Sequence, residues 1–101
     1  MELEINHADG VERSPALEQH VRERLARLDR RYGERVTRIR VFLKDVNGGK
    51  GGIDKVCTME ARPAGLGPIA VEAQDADLYA AVREAEGKLE RALDHRMDRD
   101  R

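Results

Sequence analysis

Aromatic side chains are scarce in this chain: tryptophan is absent, phenylalanine occurs once and tyrosine twice. A protein that reads single-stranded nucleic acid through rows of stacked bases needs more rings than that, so extended stacking is poorly supported. Cysteine occurs once, at Cys57, which excludes an internal disulfide and suits a reducing compartment. No run approaches the roughly 20 apolar residues of a membrane helix. The opening MELEINHADG alternates apolar and polar residues instead of leading from a basic end into an apolar run, so no signal peptide is expected. Charge of one sign is also missing. The formal net charge is −1, and any attraction to a polyanion must come from segregated charge. These absences point to a cytoplasmic protein, and 101 residues point to one domain spanning 1–101, too short for a large active-site cleft.

The residues that are present give a simple order of elements. Leu3 and Ile5 alternate with Glu2, Glu4 and Asn6, the period of a half-buried strand. In RSPALEQ, Ser14 is an N-cap and Pro15 stands at the first helical position, where its missing N–H costs nothing. Leu17, Val21, Leu25, Leu28 and Tyr32 then recur at helical spacing up to Gly33, a natural residue beyond a helix end. VTRIRVFLKD puts Ile39, Val41 and Leu43 on one strand face, and KVCTMEAR puts Cys57, Met59 and Ala61 there. After the turn PAGLGP, IAVEA adds a short strand through Ile69, Val71 and Ala73. Asp75 or Asp77 caps a last helix whose buried stripe is Leu78, Val82, Ala85, Leu89 and Leu93. The fold class expected is α+β, in the order β-α-β-β-β-α, with a four-stranded mixed sheet and both helices packed on one face.

Charge on the two helices is segregated. At about 100° per residue, Arg24, Arg27 and Arg31 share one flank of the first apolar stripe, opposite Glu18 and Asp29. In the last helix Lys88, Arg91 and His95 share one flank, interrupted by Glu84, while Glu86, Glu90 and Asp94 take the other. Viewed along the chain, the basic flank lies on the same hand of both helices. The residues alone leave open a phosphate-binding surface and an ordinary solvated helix pair.

Other motifs carry little chemistry. NGGKGG lacks the spacing of a phosphate-binding loop and joins two strands, so it reads as a hairpin connection with Lys50 at its tip. His7, His20 and His95 lie on separate elements without metal-ligand spacing, so no metal site and no cofactor are expected. Cys57 reads as a core residue rather than a nucleophile, and Tyr32 and Tyr79 as packing residues. Nothing points to an enzyme or a small-molecule substrate.

Two stretches carry a resemblance. GVERSPALEQHVRERLARLDRRYGERV, and later DADLYAAVREAEGKLERAL, resemble the ribosome-hibernation-promoting family, which includes the ribosome-associated inhibitors. The first is similar to that family's Ser/Thr-Pro-Ala-Leu start and Arg-rich helix, the second to its Asp-x-Tyr-Ala-Ala helix with a Lys-Leu-Glu-Arg segment, and the similarity spans almost the whole chain. The VNGGKGGID loop and the RPAGLGP turn depart from the family's pattern, as in a divergent branch, and the end at Arg101 matches a short form without a C-terminal dimerisation domain. The resemblance implies binding to ribosomal RNA of the small subunit, in the channel for messenger and transfer RNA, and silencing of idle ribosomes. The RNA contacts it implies are Arg24, Arg27, Arg30, Arg31, Lys88, Arg91 and His95, where His95 replaces a frequent lysine. The protein is expected to be a monomer when free. A second reading keeps the fold but makes it a small protein-interaction module, using the sheet face of Arg38, Arg40 and Phe42.

Overall fold

The computed structural model describes residues 1–8, 11–46 and 53–99. Its elements are β1 (Glu2–His7), α1 (Pro15–Tyr32), β2 (Val36–Asp45), β3 (Lys55–Pro63), β4 (Ile69–Asp75) and α2 (Leu78–Arg99), the expected order. The NGGKGG connection with Lys50 lies outside the described residues, as does the end of the chain from residue 100.

Each boundary has a local cause. The Ser14 hydroxyl accepts the Leu17 N–H at 3.3 Å, with Pro15 opening the helix. Gly33 closes α1 in right-handed geometry, at φ −56°, so a left-handed cap is not what requires glycine there. Close approach requires it: a Cβ would come within 2.4 Å of the Asp29 carbonyl oxygen. Asp77 is the cap of α2, its carboxylate accepting the Tyr79 N–H at 3.1 Å, while Asp75 accepts the Asp77 N–H at 3.0 Å and shapes the turn before it. Gly65 takes φ 75° in the turn between β3 and β4, where a side chain would be strained.

The strands lie in the order β1-β2-β3-β4, with β1 and β2 parallel and the other two pairs antiparallel. Register gives cross-strand rows. On the helix-covered face these are Leu3–Ile39–Ala61–Ile69, Ile5–Val41–Met59–Val71 and His7–Leu43–Cys57–Ala73. Against them pack Leu17, Val21, Leu25, Leu28 and Tyr32 of α1 and Ala81, Val82, Ala85, Leu89, Leu93 and Met97 of α2, so the second stripe runs one turn beyond Leu93. Each large side chain removed from water here stabilises by about 1.5–3 kcal/mol. Tyr32 and Tyr79 pack in and around this core, Tyr79 with its ring 4.9 Å from that of His20. No described helix is long and apolar enough to cross a membrane.

Cys57 is fully buried between Leu43 and Ala73, and burial pushes its thiol up to about 12, so at neutral pH it stays protonated and apolar in character. Replacing Cys57 by serine should bury a hydroxyl among apolar neighbours. The expected cost is about 1–3 kcal/mol, measured by chemical denaturation.

Candidate nucleic-acid interface

The two helices run side by side in the same direction, and ion pairs mark the seam between them. Arg24 donates to Glu86 at 2.8 Å, Arg27 to Glu90 at 2.5 Å, and Arg31 reaches Glu90 at 3.5 Å and Asp94 at 3.0 Å. Tyr32 donates its hydroxyl to Asp94, and the Arg31 guanidinium lies 5.1 Å from the Tyr32 ring centre. The basic flank of α1 therefore faces the acidic flank of α2, a pairing that neither helix reveals by itself.

Depth separates the two signs. Arg27 and Arg31 keep 62% and 54% of their side-chain surface in solvent, whereas Glu90 and Asp94 keep 21% and 33% and Glu86 keeps 2%. The carboxylates form the floor of the seam and the guanidiniums its rim. A carboxylate occupies only part of the five-donor guanidinium fork, so the outer N–H groups stay available. Arg24 differs from the other two. It is the counter-ion of the buried Glu86, whose carboxyl is pushed above the ordinary carboxylate value by burial, with Arg24 opposing the shift and Glu90 adding to it.

The remaining expected residues are dispersed around this seam. Arg30, Arg91 and His95 are exposed and have no ion-pair partner among the described residues. Lys88 lies on the β4 side of α2 and donates to the Glu72 carbonyl at 2.8 Å, which covers an edge-strand acceptor. Arg96, one residue past His95, donates to the carbonyl of Gly67, in the turn between β3 and β4, at 3.1 Å. Arg83 is a cation that sequence reasoning missed: it is exposed on α2 without an ion-pair partner among the described residues. Its helical position puts it on the acidic flank, so flank sorting passed over it. No cluster of metal-ligating side chains occurs among the described residues.

On the opposite face of the sheet the charges cancel locally. Arg38 pairs with Glu2 at 3.5 Å, Arg40 with Glu4 at 3.1 Å and Arg62 with Glu60 at 3.9 Å. At the base of the β2–β3 connection, Lys55 bridges Asp54 at 2.7 Å and Asp45 at 3.1 Å, and its hydrogen bond to Asp54 holds its ammonium above the usual value.

Comparison with known proteins agrees with this architecture. The sequence pattern of the family described as sigma 54 modulation protein / S30EA ribosomal protein matches residues 5–101. A ribosomal subunit interface protein from Coxiella burnetii superposes with a TM-score of 0.82 at 22% identity, covering 97% of this chain and 99% of that one, a likeness of fold. The N-terminal domain of Thermus thermophilus Protein Y gives a TM-score of 0.75 at 29% identity, covering 92% and 96%. Among curated proteins, no sequence matches.

The Arg24–Glu86 pair generates two expectations. Arg24→Ala should strand the Glu86 carboxylate and cost about 1–3 kcal/mol, whereas Arg30→Ala should stay within about 0.5 kcal/mol, both by urea denaturation. Because the folded-state value of Glu86 is raised above 4.5, its contribution to stability is full at lower pH and is lost as pH rises through that raised value. Glu86→Gln should remove this loss, so melting curves across that window should show the variant gaining on the parent as pH increases.

Proposed function

Because the chain belongs to the sigma 54 modulation protein / S30EA ribosomal protein family, we propose that it is a ribosome-associated translation inhibitor that binds small-subunit ribosomal RNA and silences idle ribosomes by occupying the channel for messenger and transfer RNA. It acts by occupancy rather than by chemistry. The contact surface is the outer side of the helix layer: the rim arginines Arg27 and Arg31, the unpaired Arg30 and Arg91, Lys88 and His95 at the β4 side, and Arg24 at the floor as the charge that keeps Glu86 in place.

The observation that carries this reading is the difference in depth between the signs, with Arg27 at 62% and Glu90 at 21% exposure. A phosphate approaching the helices meets guanidinium first. Guanidinium forks bind phosphate oxygens bidentately, and structured RNA is recognised largely through its shape and backbone, so no base-reading motif is needed on this side. The Coxiella burnetii protein carries a name that places it at the ribosomal subunit interface, and this chain shares its architecture over nearly its whole length.

Co-sedimentation with small subunits across a salt series should show affinity falling with a log–log slope of roughly 0.7 per phosphate contact. Arg30→Glu with Arg91→Glu is the decisive variant, since neither residue supports a carboxylate of the seam. It should weaken association at least tenfold and relieve inhibition of translation in vitro. Arg13→Glu with Arg62→Glu changes net charge equally away from the helix layer and should bind like the parent. Equal weakening by both pairs would reduce the surface to a general charge effect.

A further inference from the structure

The uncovered face of the sheet holds a second polar site, built on a different chemistry. Register aligns Asn6, Phe42 and Thr58 as one cross-strand row, with Lys44 two residues along β2. Together with His7 and Ala8 these residues line a shallow, mainly apolar cavity of about 370 Å³, near the lower end of the range for small-ligand sites. Phe42 is 40% exposed, a large ring left in water on a central strand. The Asn6 Nδ2 is shielded from solvent and has no hydrogen-bond partner among the described residues. A buried donor whose bond is unmade is costly, so the Asn6 amide favours a ligand that supplies an acceptor. Lys44 has no ion-pair partner among the described residues, while Arg38, Arg40 and Arg62 on the same face are each paired with a glutamate.

We propose that this row is a docking site for one nucleotide of single-stranded RNA, with the base stacked on Phe42, an acceptor on its edge taken by Asn6, and its phosphate by Lys44. The inference rests on the RNA-binding reading above and extends it to the other side of the molecule. Three features select this occupant. An apolar side chain of a protein would cover Phe42 and leave the Asn6 donor unmade. An acidic peptide would satisfy Lys44 and leave the ring bare. A nucleotide offers a flat apolar face, acceptors on its edge and an anionic phosphate, and an open β-sheet with an aromatic at its centre is a proven support for such stacking. One ring holds one base, so the site is a single-base anchor and the scarcity of aromatics elsewhere is no obstacle.

The test is titration of the whole protein, isotope-labelled for NMR, with an adenylate pentamer of RNA. Shifts concentrated at Asn6, Phe42, Lys44 and Thr58 are expected, with the Asn6 side-chain amide among the largest. Phe42→Ala and Phe42→Leu should each weaken pentamer binding about 5- to 100-fold, the loss that removal of one stacked base brings, and Phe42→Tyr should restore it. Shifts confined to the helix layer, or unchanged affinity in Phe42→Leu, would overturn the site. So would loss of ribosome association in Phe42→Leu without any pentamer shift at this row, since the ring would then be meeting protein. If the pentamer titrates this row while the parent fails to co-sediment with ribosomes, the site stands and the ribosomal reading falls.

Discussion

Two helices that cross one sheet face in the same chain direction can meet only through opposite flanks, and this constraint organises the molecule. The direction follows from strand pairing. β1 and β2 are parallel, β3 reverses and β4 reverses again, so β1 and β4 run the same way and the helices that return from them also run the same way. Since the basic residues occupy the same hand of both stripes, the arginines of α1 must face the carboxylates of α2. A topology with one hairpin fewer would have set like against like. Sheet connectivity therefore decides whether these side chains attract or repel, before any single distance is considered.

The seam is not what holds the fold together. Exposed pairs such as Arg27–Glu90 are screened by water and contribute little, well below one buried leucine. Its effect is on alignment. Sliding α2 by one turn would bring Glu86 opposite His20 and leave Arg31 without Asp94, and a buried carboxylate without a cation is costly. Glu86 acts as a register key: it adds little when matched and penalises a mismatch heavily. The same contacts hold Arg27 and Arg31 in place, which removes part of the roughly 2 kcal/mol of rotamer entropy an arginine would otherwise lose on meeting a ligand.

Most of the fold could be read from the sequence because periodicity is a local signal. The strands around Ile39 and Met59 and the stripes through Leu25 and Leu89 lie where alternation and helical spacing put them. Signals that depend on a neighbour were harder to read. Val56 alternates to the solvent face of its strand yet is buried, and Asp54 beside it is fully buried with Lys55 as counter-ion. Glu86 reads as one acid in a row of three, and only the presence of α1 above it takes it out of water. The arginine flank was visible as a pattern, but its partner was not, because each helix was read alone. The same-hand rule and the count of hairpins, both available in the sequence, would have predicted the seam had they been combined.

Near-neutral net charge and an outward-facing basic rim are compatible when the acids are used inward. Glu86, Glu90 and Asp94 lie at the floor of the seam, and Glu2, Glu4 and Glu60 cancel arginines on the sheet, so both faces are screened at short range. Among the described residues, the exposed cations without an ion pair include Arg22, Arg30, Arg83 and Arg91 on the helices and Lys44 on the sheet. Paired arginines attract a phosphate less strongly than free ones, yet they are already ordered when it arrives. The division of labour follows from that difference. On the proposed reading, the free cations would supply the salt-dependent attraction to RNA, and the held row would supply shape, fixing where along a phosphate backbone the helix layer settles.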